Sequence, residues 1–497
     1  MAGIGQSTDR RPRERRPVMA GLTTYGSYVP YWRLTASAIA SVTGRREGGG
    51  TRAVASYDED TTTMAVAAGL SALASVGSVD HLDSLGFVTS HPAYVDKTNA
   101  TAVHAALGLP RAIRCTDTGG AARSGLSALI AALRSTETTL VTIADTVTGP
   151  AGSPDEVGGG DAAAAFLVGN MPAVATFLGS GSASDEFTDR WRLPGESWAK
   201  TWEERFGEAI YTRLAEESFV SALKDADVPA GDIDRYAIVG LSPRAAKTFT
   251  RTCGVDPSHV VDDLTSAIGN AGAAQPGVLL AAMLDEAAPG ETLAVTMLAD
   301  GADTLILRTT DLLESRRQPT PVAEQLAAGN DELRYADFLT WKGQLVRQTP
   351  RRPDPDRAAA PPAYRAEAWK FAFTGSECNA CGTRHLPPQR VCLECGDMGD
   401  MSPVRLVDSA ARIATYTIDH LAYSPAPPVI GAVVDFEGGG RFACEMTDAD
   451  PEKVSIGQQV EMTFRRMSDT DGIHNYFWKV RPAVEPPTEL DTEESAS

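Results

Sequence analysis

No stretch of this chain holds eighteen consecutive apolar residues, so no membrane-spanning helix is expected. Positive charge is short as well: 45 Lys and Arg against 65 Asp and Glu leave a net charge of −20. Nucleic-acid phosphates would be repelled by that balance, which argues against unaided binding to DNA or RNA. Histidine is sparse. The seven, His81, His91, His104, His259, His385, His420 and His474, are scattered, and none stands at metal-ligand spacing from another. Each is expected to be a surface or satisfied residue. A secretory signal is missing too, because Arg10, Arg11, Arg13, Arg15 and Arg16 are not followed directly by an apolar core. The start of the chain therefore reads as a disordered basic tail, and Glu485 to Ser497 as a disordered acidic one. What remains, 43% hydrophobic and 22% charged over 497 residues, is the composition of a soluble protein with two or more domains.

Of the seven cysteines, four lie in one short stretch, as Cys378-Asn-Ala-Cys381 and Cys392-Leu-Glu-Cys395. Two Cys-x-x-Cys pairs at this separation supply four thiolates for one tetrahedral Zn²⁺, and Gly382 and Gly396 after each pair allow the sharp turn. A four-thiolate site leaves no open position, so it is structural. Disulfides are disfavoured because nothing else suggests export, and free thiols beside a zinc knuckle point to a reducing cytoplasm.

From about Ala20 to Arg308, strand-like runs alternate with Ala-rich helical stretches, which implies an α/β layered fold with a largely buried sheet. Strands are expected at Leu85–Thr89, Thr139–Ala144, Ala162–Val168, Tyr236–Leu241 and Glu291–Leu298, and helices at Thr62–Leu73 and Ser124–Leu133. Two similar halves would meet between Asn170 and Asp189. One amphipathic helix is predicted over Asp331–Gln348, with Leu333, Phe338, Leu339, Trp341 and Leu345 as its apolar face. Pro350–Pro362 reads as a linker. Between Val404 and Val480, five alternating runs beginning at Ala414, Val429, Phe442, Val460 and Tyr476 suggest a small antiparallel barrel of the OB type.

Two resemblances follow. The sequence Phe373-Thr-Gly-Ser-Glu-Cys-Asn-Ala-Cys-Gly382, with Leu386-Pro-Pro and Cys392-Leu-Glu-Cys-Gly396, resembles the family that joins a rubredoxin-like zinc ribbon to an OB-fold. Its members accompany thiolase-superfamily enzymes acting on acyl-CoA. Gly26-Ser-Tyr-Val-Pro-Tyr-Trp-Arg33, Asp58-Glu-Asp-Thr-Thr-Thr-Met64, Gly160-Asp-Ala-Ala-Ala-Ala-Phe166 and Gly269-Asn-Ala-Gly-Ala-Ala274 resemble the thiolase superfamily. The branch is that of 3-hydroxy-3-methylglutaryl-CoA synthase and 3-oxoacyl-ACP synthase III. The resemblance implies a duplicated, five-layered α/β fold that dimerises. The expected segments are a tail at 1–19, thiolase-like halves at 20–170 and 171–310, and a helix and linker at 311–363. A zinc ribbon at 364–402, an OB-fold at 403–483 and a tail at 484–497 complete them.

In this branch a cysteine at a helix N-terminus takes the acyl group, its pKa lowered by the helix dipole and backbone N–H groups. The register of Gly125 and Ala128-Leu129 places Ala122 where that cysteine belongs. Ser124 has no adjacent base, Cys115 comes too early, and Cys253 falls in the other half; both cysteines read as ordinary small residues. The family's histidine, which stabilises the oxyanion and assists proton transfer, would align with Leu241, or with Ser242 after a slip of one. Asn270 alone is retained. Asp161 reads as the entry to a buried strand, and Asp58-Glu59-Asp60 as a helix cap.

The expected function is a non-catalytic or assisting subunit of an acyl-CoA-processing complex. It would give a dimeric scaffold and acyl-CoA binding to a thiolase or acyltransferase partner, with structural Zn²⁺ and a CoA thioester as ligand or substrate. The alternatives are a cysteine-independent C–C lyase (retro-aldolase) acting on a CoA thioester, with Tyr94, Tyr211 and Asp161 as candidates, and a synthase-like acyltransferase recruiting another cysteine. A nucleic-acid-binding OB protein using Phe442, Phe464, Tyr476, Phe477 and Trp478 is the weakest. No membrane or nucleic-acid partner is expected.

Overall fold

The computed structural model describes residues 20–46, 48–351 and 355–484; the expected tail at 1–19, all of that at 484–497 but Val484, and part of the expected linker lie outside these. The first half of the α/β part contributes β1 (Gly21–Tyr28), a side ribbon of β2 (Trp32–Thr35) and β3 (Thr51–Val54), then β4 (Ser84–Thr89), β5 (Arg114–Gly119), β6 (Thr139–Thr146) and β7 (Asp161–Gly169). The second half contributes β8 (Ala175–Ala183), a two-residue pair of β9 (Arg190–Trp191) and β10 (Lys200–Thr201), then β11 (Arg235–Gly240), β12 (Thr292–Ala299) and β13 (Gly301–Thr309). The main strands run in the order β11-β12-β13-β8-β1-β7-β6-β4-β5.

The duplication too faint to prove in the residues is plain in the pairing. In the first half β1–β7 and β7–β6 are antiparallel, while β6–β4 and β4–β5 are parallel. The second half repeats this with β8–β13 and β13–β12 antiparallel and β12–β11 parallel. Its fifth strand is reduced to a parallel bridge between Tyr236 and Val260. The halves join where β1 and β8 share only the pairs Gly21–Thr176 and Leu22–Ala175.

Side-chain alternation builds five layers, because successive residues of a strand face opposite sides. On β7, Ala162, Ala164, Phe166 and Val168 face a central core with helices Ser124–Leu133 and Gln275–Glu286, while Ala163, Ala165 and Leu167 face helices Thr61–Leu73 and Ala100–Leu107. On β12, Leu293, Val295 and Met297 face the same central core, and Ala294 and Leu298 face helices Glu204–Ala226 and Pro243–Thr252.

Helix Asp331–Gln348 forms only as Tyr335–Trp341. Leu333 is already committed, in extended chain, to a small core with Leu34, Ile39 and Val54. Gly343, at φ +71°, ends the helix, since a left-handed residue there caps the last turn. Leu345 is left exposed.

The zinc ribbon is β14 (Thr374–Cys378), β15 (Arg384–His385) and β16 (Met401–Arg405). The closed barrel follows as β17 (Ala411–Asp419), β18 (Val429–Phe436), β19 (Arg441–Met446), β20 (Gln459–Thr470) and β21 (Ile473–Pro482). Trp369, Phe373, Phe442 and Phe477 stack between ribbon and barrel, and Phe464, Tyr476 and Trp478 are buried, so these aromatic faces are occupied by the protein itself.

The barrel packs on the outer helices of the first half in one shared core. The triplet expected as a cap divides its work there. Asp60 does cap helix Thr61–Leu73, accepting from the Thr63 N–H at 2.9 Å. Its other oxygen accepts from Tyr476 Oη at 2.6 Å. Asp58 and Glu59, by contrast, turn inward to the barrel. Arg465, 1% exposed, reaches Glu59 at 2.8 Å, Asp58 at 3.3 Å and Asp448. Lys479 reaches Asp58 at 2.9 Å. Burial alone would raise the Asp58 carboxyl, but Lys479 and Arg465 outweigh it and hold Asp58 below the usual range. Glu59, where burial dominates, is pushed up to about 7.

Removing one member of such a cluster strands the others without a partner. Arg465→Met is therefore expected to destabilise the protein by about 3–5 kcal/mol. Chemical denaturation should show the loss; a change below about 1 kcal/mol would mean that the cluster does not hold the barrel in place.

Candidate functional site

The edge formed by the carboxyl ends of parallel β4, β5 and β6 gathers the expected positions, as open α/β sheets do. Gly119 ends β5 in register with Thr89 of β4. The chain then turns through Gly120, Ala121 and Ala122 into helix Ser124–Leu133. Gly125 presses against the Ala273 backbone so closely that a Cβ would lie 2.0 Å from its carbonyl oxygen. That contact seats the start of the helix on the loop carrying Asn270. Asn270 Nδ2 donates to the Gly240 carbonyl at 2.9 Å and its Oδ1 accepts from the Gly272 N–H at 2.9 Å, so the retained amide braces the loop. Leu241 follows Gly240 directly, and its side chain, like that of Ala122, packs on the central core. Ala122 and Leu241 thus pack on one core, and Asn270 is tied to the residue before Leu241.

The neighbouring polar groups and cysteines are each placed as follows. Arg123 holds Asp303 through two hydrogen bonds of 2.9 and 3.0 Å, and the Ser124 hydroxyl donates to the Gly119 carbonyl at 3.3 Å. Burial, and then the charge of Asp117, push the Cys115 thiol up, away from thiolate. Cys253 donates to the Thr250 carbonyl on the far outer layer.

The lyase candidates do not converge. Asp161 opens β7 as expected; its Oδ2 accepts from Lys342 at 2.6 Å and from the Ala55 N–H at 2.8 Å, and Arg52 is ion-paired to its Oδ1 at 3.5 Å. Tyr211 donates to Asp189 at 2.8 Å, and Tyr94 accepts from the His474 N–H at 2.8 Å. One pair was missed. His91, read as a scattered residue, meets Asp145 through Nδ1 at 3.1 Å, and Ser90 Oγ donates to the same carboxylate at 2.8 Å. Ser90 and His91 follow β4 and Asp145 is next to last on β6, so the placement of both at strand ends was the available signal.

The four cysteines come together as predicted, with all ligand atoms within 4.8 Å of one another. The Sγ atoms of Cys378 and Cys395 stand 3.7 Å apart and those of Cys381 and Cys392 3.5 Å. Sulfurs about 2.3 Å from a tetrahedral Zn²⁺ stand about 3.8 Å apart, so the set fits that ion. Gly382 and Gly396 both take φ +75°, which gives the two knuckles the same turn.

Comparison with known proteins places both parts. Among curated relatives, the hydroxymethylglutaryl-CoA synthase of Aeropyrum pernix is 30% identical over 349 residues, covering 66% of this chain and 95% of that protein. The chain belongs to the hydroxymethylglutaryl-CoA synthase family. The synthase of Methanopyrus kandleri is 26% identical over 352 residues, which span 99% of its length. Beyond this synthase-family part, residues 371–399 match the ChsH2 rubredoxin-like zinc ribbon domain and 404–465 the ChsH2 C-terminal OB-fold domain. The same region is 30% identical over 118 residues to a DUF35 domain-containing scaffold protein of Methanocaldococcus jannaschii, 23% of this chain and 83% of that one. In fold, MvaS in complex with 3-hydroxy-3-methylglutaryl coenzyme A aligns with a TM-score of 0.58 at 19% identity, over 69% of this chain and 95% of that one.

Protein purified under reducing conditions should carry about one Zn²⁺ per chain. Cys392→Ser should lose the metal and loosen ribbon and barrel together, since metal binding is coupled to local folding. Elemental analysis of the two proteins reads this directly, and zinc-free wild type would refute it.

Proposed function

We propose that this synthase-family chain binds a CoA thioester at the Ala122 edge and serves as an assisting subunit of an acyl-CoA-processing complex. It would supply scaffold and binding rather than acyl transfer. The observation that carries this is Ala122, set at the entrance to helix Ser124–Leu133 and packed, like Leu241, on the central core. A thiolate there would gain from the helix N-terminus, and an imidazole at 241 would move the proton. Neither is present, while the bracing by Asn270 and the close seat of Gly125 remain. The relatives named for a scaffold role support the same reading for the ribbon and barrel. The barrel face bearing Arg465, Lys479 and Tyr476 is already taken by the chain's own helix start, so a partner thiolase would dock elsewhere.

A cysteine-independent C–C lyase is the second reading, favoured by one observation. His91 and Asp145 form a paired base at the same edge, and retro-aldol cleavage needs a base and no acyl-enzyme.

Incubation with acetyl-CoA should leave the intact mass unchanged, because no acyl-enzyme forms. Ala122→Cys should acylate only in part, since Leu241 still offers no proton transfer. A stable thioester on wild-type Cys115 or Cys253 would restore acyl transfer as the function.

The chain should purify as a dimer or larger and should raise the activity of a co-purifying thiolase or acyltransferase above that of the partner alone. Recovery as a lone monomer with full C–C bond-forming or bond-cleaving turnover would overturn the assisting role.

A further inference from the structure

The pairing of His91 with Asp145 is a device in its own right. Asp145 is 1% exposed, and it accepts from the Ala273 N–H at 3.0 Å as well as from Ser90 and His91. Burial would raise its carboxyl, but His91 and these donors outweigh that and hold it ionised. A carboxylate fixed on Nδ1 orients an imidazole and leaves Nε2 as the free basic nitrogen. His91 Nε2 makes no hydrogen bond among the described residues, and the ring is 27% exposed, open to a ligand.

Next to it lies the turn into helix Ser124–Leu133, held beside β4 by the Thr89–Gly119 pair. The N–H groups of Ala121, Ala122 and Arg123 have no hydrogen-bond partner among the described residues. Free amides at the start of a ten-residue helix are suited to receive an oxyanion, and the neighbouring imidazole supplies the independent chemical partner.

We infer that His91, oriented by Asp145, is the base that removes the Cα proton of an acyl-CoA bound at this edge, with the amides around Ala122 receiving the thioester oxygen. The inference rests on the reading that a CoA thioester occupies the edge. The Cα–H bond breaks and the proton passes to His91 Nε2. The electron pair forms the Cα=C bond, while the carbonyl π pair moves onto oxygen. The enolate charge is balanced by the imidazolium, which keeps its Nδ1 proton and donates it to the Asp145 carboxylate. Return of a proton to Cα restores the thioester, so in D₂O the net result is exchange. No acyl-enzyme, oxidant or second substrate is needed. Asp145 is a positioning residue in this scheme.

The test uses the full chain with acetyl-CoA and propionyl-CoA in D₂O. Loss of the Cα proton signal is followed by NMR, and binding is measured separately by calorimetry. Wild type should exchange Cα protons about 10²–10⁴-fold faster than buffer, the usual range for a positioned base. His91→Asn, whose amide can still donate to Asp145, and His91→Gln should both bind and melt as wild type does but lose that acceleration. Asp145→Asn should slow exchange and displace its pH profile, which a merely structural role would not do. If neither thioester binds wild type, the underlying reading fails. Binding without exchange, or exchange that survives in both His91 variants, overturns the inference alone.

Discussion

Three acids in a row at the start of one helix decide how the two parts of this molecule meet. Asp58, Glu59 and Asp60 are each satisfied by the barrel, through Arg465 and Lys479, through Arg465, and through Tyr476. Buried charges tolerate one arrangement, because any displacement strands a carboxylate or a guanidinium away from water. Apolar surface supplies the bulk of the contact, but it would accept sliding. The ion cluster fixes the docking geometry.

The α/β part shows the converse economy. Its sheet, layers and helix seats are packed to the level of Gly125 against the Ala273 carbonyl, with Ala122 and Leu241 as the side chains beside them. Backbone geometry of that closeness is enforced by packing of the whole central layer. Ala122 and Leu241 are partly buried against that layer and add small apolar contacts to it.

Much of this could be read from the chain because the informative patterns are local. Alternation along Ala162–Val168, the apolar spacing of Ser124–Leu133 and the two Cys-x-x-Cys turns each carry their meaning within a few residues. Two of the expectations that missed involve partners distant in sequence. Asp58 and Glu59 read as part of a helix cap, since the Arg465 and Lys479 that hold them lie some four hundred residues later. His91 looked isolated, since Asp145 reaches it only when β4 and β6 lie side by side. The helix over Asp331–Gln348 was overextended because its apolar spacing continues past Gly343, where the backbone turns left-handed.

The covalent tether between the two parts has a quantitative consequence. A scaffold protein that docks from solution is present or absent according to its own abundance and affinity, and dilution dissociates it. Here the ribbon and barrel are joined to their seat by one short segment, an arrangement that gives an effective concentration in the millimolar range. Occupancy of the seat is then independent of expression balance, and the stoichiometry is fixed at one to one. The docked pair can bury charges as costly to separate as Arg465 and Asp58 because, once folded, it has no need to come apart.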